Sequence, residues 1–240
     1  MLDKELIKSR YRVKKHGEVF TPKWIVNKML DQDEIKALTE SLTSTFLEPA
    51  AGEGIFLIEI LHRKLKSAHR LSQSIEEYEE NALIALSSIY GIELLEDNVE
   101  MMVMNLDGEF NRYYYDVIRE YSARINQSVI KSARVIISAN IVQGNALTKI
   151  RDNGEPIIFS EWKLLPVKRG LRKVQRIEYT FEAIIDGGDP VNAQKHDNEQ
   201  LDLFEFNENF EEFEEDLKVE FSYIPVRFTE VWRKKLVEIT

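Results

Sequence analysis

The 240-residue sequence contains no cysteine and only four histidines, which are His16, His62, His69 and His196. Without cysteine the chain can form no disulfide, no thiolate zinc site and no cysteine nucleophile, and we expect no metal site. It also lacks an apolar run of roughly 20 residues, the length that a membrane span needs, and it lacks a signal-peptide pattern. We therefore expect a cytoplasmic protein without membrane contact.

Positive charge is in deficit, with 32 Lys and Arg against 42 Asp and Glu and a formal net charge of −10. This balance argues against tight DNA binding by the chain alone. The cations are nevertheless concentrated in two stretches, residues 4–15 and 163–176, whereas residues 197–216 contain no basic residue. Each basic stretch can contact phosphates or face solvent, and solvation is the commoner outcome.

Short apolar runs alternate with amphipathic stretches, a pattern typical of an α/β fold with a doubly wound, mostly parallel sheet. We predict strands at 46–48, 88–93 and 179–185 and short β-branched runs at 135–137 and 141–142. The predicted helices cover 2–15, 22–30, 33–42, 55–65, 76–87 and a long stretch from 97 past 121, the second opened by Thr21 as N-cap. The expected division is a main domain over 1–190, an acidic segment over 191–218, and a C-terminal strand (219–228) and helix (229–237) within 219–240.

A glycine-containing turn follows the first predicted strand. Gly52 and Gly54 precede an apolar helix, and the absence of a Cβ lets backbone amides approach a ligand there. Glu93 ends the next predicted strand, where an acidic side chain can accept hydrogen bonds from both ribose hydroxyls of an adenosine cofactor. Together these features predict a nucleoside site at the carboxyl ends of the strands.

Three ordered motifs resemble those of the N6-adenine DNA methylases of restriction-modification systems. They are Gly17-Glu18-Val19-Phe20-Thr21-Pro22, Leu47-Glu48-Pro49-Ala50-Ala51-Gly52-Glu53-Gly54-Ile55-Phe56 and Tyr90-Gly91-Ile92-Glu93. The resemblance spans roughly residues 10–190 and implies the Rossmann-like fold of methyltransferases that use S-adenosylmethionine, here incomplete and with N-terminal helices. The alternative is a nicotinamide-binding fold, but the third glycine of that fingerprint is missing.

The resemblance also implies which residues hold the cofactor. The segment that includes Phe20 would close over the methionine end, Glu48 and the glycine turn would hold the methionine part, and Glu93 would hold the ribose. Gly144-Asn145-Ala146-Leu147 resembles the third motif, which places a polar residue beside the adenine, with asparagine where the family has aspartate. The expected set is Phe20, Thr21, Pro22, Glu48, Pro49, Ala50, Gly52, Gly54, Phe56, Glu93, Leu94, Asn145 and Ala146.

The fourth motif departs from the family pattern. There, a strand similar to residues 181–185 ends in Asn-Pro-Pro-Tyr, which aligns the exocyclic amine and stacks the flipped base. Here Asp186-Gly187-Gly188-Asp189-Pro190 follows instead. Asp186 can supply the polar acceptor, but no adjacent residue supplies the aromatic face. We expect poor methyl transfer to DNA by the chain alone, and completion by a partner subunit.

Gln200-Leu201-Asp202-Leu203-Phe204 matches the consensus peptide by which many bacterial proteins bind the replication sliding clamp. In such peptides a leucine and a phenylalanine enter an apolar pocket and the glutamine makes polar contacts. The candidate contact residues are Gln200, Leu201, Leu203 and Phe204. The alternative is a docked helix, because apolar residues recur three and four positions apart from Leu203 to Leu217.

Two functions from different classes follow. The first is the S-adenosylmethionine-binding subunit, or a derivative, of an adenine-specific DNA methyltransferase of a restriction-modification system. The second is a non-catalytic adaptor or regulatory protein that keeps the methylase fold and is recruited to the sliding clamp. The cofactor motifs favour the first, and the sequence at residues 186–190 favours the second.

Overall fold

The computed structural model describes residues 10–16, 21–168, 170–191 and 221–238, which form a mixed α/β fold. The helices are α1 (Arg10–His16), α2 (Lys23–Leu30), α3 (Asp33–Glu40), α4 (Ile55–Leu71), α5 (Ile75–Ser87), α6 (Glu96–Glu120), α7 (Gln127–Asn140), α8 (Phe181–Asp186) and a 3₁₀ helix (Phe228–Arg233). The strands are β1 (Phe46–Glu48), β2 (Ile89–Glu93), β3 (Ile141–Gln143), β4 (Ile158–Leu164), β5 (Val174–Thr180), β6 (Phe221–Tyr223) and β7 (Leu236–Glu238).

Strands β1, β2 and β3 form a parallel sheet in that order. Glu48 lies opposite Gly91, and Glu93 lies opposite Gln143. Parallel neighbours need crossover connections, and here α4 and α5 connect β1 to β2 while α6 and α7 connect β2 to β3. The carboxyl ends of all three strands therefore meet at one edge, as the sequence predicts.

The two faces of this sheet are covered by different elements. On one face, Leu57 of α4 and Met102 of α6 lie against Gly91, within a core that extends through α4, α5, α6 and α7. Because side chains alternate along a strand, the next residue faces the other way. The cluster on that second face consists of Ile92, Val142, Ile157, Phe159 and Phe181. The hairpin of β4 and β5, together with α8, thus covers the second face.

The predicted strand over residues 179–185 is wrong beyond Thr180. β5 ends at Thr180 and runs antiparallel to β4, and residues 181–186 form α8. The Thr180 hydroxyl accepts a hydrogen bond from the Ala183 N–H at 3.0 Å, and Gly187 ends the helix with φ +79°. The apolar run suits either a strand or a helix, and these two caps favour the helix. No fourth parallel strand lies beside β1 among the residues described.

Smaller differences concern element ends and the C-terminal region. Pro22, rather than Thr21, occupies the N-cap of α2 and makes no side-chain cap. The helix predicted over 229–237 is wrong, because a 3₁₀ helix and then β7 occupy these positions, and β6 covers only part of the strand predicted at 219–228. No helix in the described ranges combines the length and the apolar content that crossing a membrane requires.

A buried lysine fixes the chain that enters β1. Lys64 of α4 is fully buried, and its Nζ donates to the carbonyl oxygens of Ser41 at 2.5 Å and Ser44 at 2.8 Å. The same ammonium lies 5.3 Å from the centre of the Phe46 ring. Burial lowers the pKa of Lys64 to about 8. The short strand β1 is thereby tied to the helix that follows the glycine turn.

Candidate cofactor site

Backbone hydrogen bonds join the turns that leave the three parallel strands. The Ala51 N–H donates to the Ile92 carbonyl at 3.0 Å, and the Gly144 N–H donates to the Glu93 carbonyl at 3.0 Å. The turn after β1 and the turn after β3 are thus both fixed to the end of β2. Three of the four segments that the resemblance assigns to the cofactor therefore meet at the carboxyl edge of the sheet.

The two glycines of the turn after β1 have different structural roles. Gly54 has φ +83°, and a Cβ there would lie 2.6 Å from Cγ of Met102, so close helix packing excludes a side chain. Gly52 has φ +55°, and a Cβ there would meet nothing within 4 Å. Gly52 therefore leaves an open space over the backbone, which a side chain would fill and which a ligand can enter.

Glu93 is the most constrained side chain of the site, with 8% of its surface exposed. Its Oε2 accepts a hydrogen bond from the Gly52 N–H at 2.8 Å across 41 residues of sequence. Its Oε1 accepts from the Leu95 N–H at 3.1 Å and from the Asn98 side-chain amide at 3.4 Å. A carboxylate has about four acceptor positions, so three are used and one remains.

Glu48 is half-buried at the end of β1. Burial raises the pKa of its carboxyl group, and a hydrogen bond from the Ala50 backbone opposes this rise. A cationic ligand beside Glu48 would favour the ionised form and reverse the shift. In the same turn Pro49 and Ala50 are exposed, and Phe56 is half-buried in the first turn of α4.

Asn145 follows β3, and its side chain shapes the turn. Its Oδ1 accepts hydrogen bonds from the backbone N–H groups of Leu147 at 2.9 Å and Thr148 at 3.4 Å. Its Nδ2 has no hydrogen-bond partner within the described ranges, so the amide offers a donor. Ala146 packs against the second core cluster, and the Leu94 side chain is 44% exposed at the same edge.

The first motif is only partly covered by the structure. Thr21 and Pro22 are half-buried, and the Pro22 carbonyl accepts the N–H of Ile25 in the first turn of α2. Phe20 lies outside the described residues, as do the clamp-peptide positions Gln200, Leu201, Leu203 and Phe204. The predictions for these residues remain predictions.

Asp186 does not end a strand, contrary to the sequence prediction. It lies at the end of α8, where its Oδ2 accepts a hydrogen bond from Nζ of Lys149 at 3.1 Å, and this contact raises the pKa of Lys149. Lys149 belongs to the turn of Asn145, because its N–H donates to the Asn145 carbonyl at 2.8 Å. Asp186 is therefore linked to the turn after β3. In the expected fold it would end a fourth parallel strand beside β1, and the structure does not place it there.

Sequence reasoning missed two residues that support the site. Asn98 is 1% exposed in the first turn of α6 and contacts Glu93 directly. The sequence indicates a role for Asn98 only by its position five residues after Glu93, which ends β2. Arg12 contacts Asn98 and Asp97 from α1, and no local pattern indicates a contact across 85 residues.

Comparison of the chain with protein-family models, with curated proteins and with solved structures gives no match. Its functional interpretation therefore depends on the motifs and the geometry described above.

Proposed function

We propose that this chain binds S-adenosylmethionine at the carboxyl edge of β1, β2 and β3, as the cofactor-binding part of an adenine-specific DNA methyltransferase of a restriction-modification system. The observation that carries the proposal is the contact between Glu93 and the Gly52 N–H, which brings the two cofactor motifs together at 2.8 Å. The parallel sheet and its helical crossovers support a Rossmann-like methyltransferase fold, in which the hairpin of β4 and β5 takes the face that a doubly wound sheet covers with helices.

The residues present fit the chemistry of this cofactor. The remaining acceptor position, on Oε2 of Glu93, can take a ribose hydroxyl while the Asn98 amide stays bonded to Oε1. The open space over Gly52 can hold the methionine chain. The Glu48 carboxylate attracts the cationic sulfonium and ammonium groups. The Asn145 amide can donate to a ring nitrogen of the adenine.

Transfer of the methyl group needs an acceptor site that a partner subunit completes. An N6-adenine site requires polar acceptors for the exocyclic amine and an aromatic face for the flipped base. Asp186 uses one acceptor position for Lys149 and keeps others for such a hydrogen bond, but it lies at the end of α8 and not at the end of a parallel strand. On the side of β1 away from β2, the described residues place no strand. A strand from a partner can pair there and carry the missing groups next to the cofactor.

Equilibrium titration tests the binding proposal. Calorimetry with S-adenosylmethionine, with S-adenosylhomocysteine and with NAD⁺ should show binding of the first two and none of the third. Absence of binding by both adenosylated ligands would contradict the proposal, and selective binding of NAD⁺ would favour the nicotinamide alternative. A tritiated methyl-transfer assay on DNA, with and without neighbouring gene products, then tests partner completion, because activity should appear only with the partner.

A second candidate is a non-catalytic adaptor recruited to the sliding clamp. The observation in its favour is that residues 181–186, where the sequence of a methylase leads into the catalytic motif, form α8, and that Asp186 pairs with Lys149. A synthetic peptide of residues 197–208 should bind purified bacterial clamp with modest affinity, since ordering a flexible peptide opposes the gain from burial.

The full-length protein with Leu203→Ala and Phe204→Ala provides the control for the clamp experiment. It should lose clamp binding while its melting temperature stays unchanged. If the double variant melts several degrees lower and neither peptide nor protein binds the clamp, these side chains belong to a docked helix and the adaptor function fails.

A further inference from the structure

Helix α1 is attached to the start of α6 by a bidentate ion pair. The two terminal nitrogens of Arg12 donate to the two carboxylate oxygens of Asp97, at 2.8 and 3.0 Å. This is the geometry in which a guanidinium and a carboxylate form two parallel hydrogen bonds. The Arg12 side chain is 22% exposed and the Asp97 side chain 50% exposed, so the pair is only partly solvated.

The same guanidinium also fixes the orientation of Asn98. Arg12 donates to Oδ1 of Asn98 at 3.3 Å, and Nδ2 of Asn98 donates to Oε1 of Glu93 at 3.4 Å. An arginine has only donors and an ionised carboxylate only acceptors. The amide of Asn98 can satisfy both neighbours in one orientation only, with its oxygen toward Arg12 and its nitrogen toward Glu93. A flipped amide would place its oxygen against the Glu93 carboxylate.

We infer that Arg12 is a positioning residue for the cofactor site, acting through Asn98 on Glu93, so that docking of α1 and binding of the adenosine part of the ligand are coupled. The inference rests on the proposed function, because it assigns to Glu93 the ribose contact. Without Arg12, the Asn98 oxygen loses the guanidinium donor that sets its orientation, and the hydrogen bond from Asn98 Nδ2, one of the three that orient the Glu93 carboxylate, is weakened. Coupling is reciprocal, so the bound ligand also stabilises the docked helix.

Ligand titration of full-length variants tests this inference. Arg12→Ala should raise the Kd for S-adenosylhomocysteine by about fivefold to thirtyfold, within the usual range of coupling between sites. Arg12→Lys should show an intermediate loss, because a lysine is a point charge that lacks the planar fork. Lys14→Ala on the same helix is the matched control, since Lys14 is exposed, and should change the Kd by less than about twofold.

A double-mutant cycle separates positioning from general stabilisation. If Arg12 acts through Asn98, then Arg12→Ala combined with Asn98→Ala should weaken binding no more than Asn98→Ala alone. A merely structural role of α1 would give additive losses. The loss caused by Arg12→Ala should also be equally large with 5′-methylthioadenosine, which keeps the ribose and lacks the amino-acid part of the methionine.

The outcomes distinguish this inference from the proposed function. If the unmutated protein fails to bind S-adenosylhomocysteine, the proposed function fails and the inference falls with it. If the unmutated protein binds and Arg12→Ala binds equally well, or the double mutant is additive, only the coupling is overturned. The coupling is also overturned if Arg12→Ala weakens binding of S-adenosylhomocysteine but not of 5′-methylthioadenosine.

Discussion

The carboxyl edge of the parallel sheet and the segment of β5 and α8 differ in how closely they keep the methylase pattern. At the edge, the glycine turn, Glu93 and the turn of Asn145 follow the motif order, and backbone hydrogen bonds join them. In the second segment an antiparallel strand and a capped helix replace the expected parallel strand, and Asp186 pairs with Lys149. The comparison shows that the chain keeps the order of the motifs in one region and departs from it in the other, so the two regions can be tested separately.

The largest effect should come from Gly52→Val. Valine fills the open space over the turn and has a β-branched side chain at φ +55°, so binding of S-adenosylhomocysteine should become undetectable by calorimetry. Gly170→Val is the matched control, because Gly170 also has positive φ, +74°, and open space around it, but lies in the β4–β5 hairpin turn. Equal loss in both variants would show that backbone strain, and not the site, is responsible.

A smaller but clear loss is expected for Glu93→Gln. The amide keeps one acceptor oxygen and loses the charge, and a hydrogen bond to a charged group contributes about 1.5–3 kcal/mol. The Kd for S-adenosylhomocysteine should therefore rise roughly tenfold to hundredfold. Glu96→Gln, an exposed carboxylate at the start of α6, should leave the Kd unchanged. If Glu93→Gln binds S-adenosylhomocysteine as tightly as the unmutated protein does, Glu93 does not contact the ribose.

Thr180→Ala tests the other side of the comparison. It removes the side-chain cap of α8, which should lower the free energy of unfolding by about 1 kcal/mol, measured by urea denaturation. The affinity for S-adenosylhomocysteine should not change, because α8 supplies none of the cofactor-motif residues and its Asp186 contacts the turn after β3 through Lys149 rather than through a motif residue. A parallel loss of affinity would mean that the two regions are not separable.

The smallest effect concerns pH. The pKa of Glu48 is raised in the folded chain, mainly by burial, so the carboxyl keeps its proton to higher pH than in the unfolded chain. Its contribution to stability therefore falls as pH rises from the ordinary carboxyl pKa through the raised value. Affinity for the cationic S-adenosylmethionine should rise over the same interval, because the ionised form attracts the ligand. In Glu48→Gln, the free energy of unfolding and the affinity for S-adenosylmethionine should both vary less with pH over this interval. If they vary as much as in the unmutated protein, another group titrates there.

Sequence reasoning succeeded where local signals coincide with tertiary contacts. The strand, glycine turn and apolar helix from Phe46 onward are contiguous, and Glu93 ends a strand whose apolar run is unambiguous. The apolar run at 181–185 is compatible with a strand or a helix. The cap at Thr180 and the terminating Gly187 decide for the helix, and both are visible in the sequence as helix signals. The ion pair of Arg12 with Asp97 joins distant residues and leaves no local pattern.

The most direct test of the central claim locates the ligand on the backbone. With the 10 glycines labelled with ¹⁵N, S-adenosylhomocysteine should cause saturable NMR shifts at the amides of Gly52 and Gly54, and none at Gly154 and Gly170. The reason is that the ligand approaches the first two through the turn after β1. No shift at Gly52, or shifts confined to glycines outside the carboxyl edge of the sheet, would contradict the account.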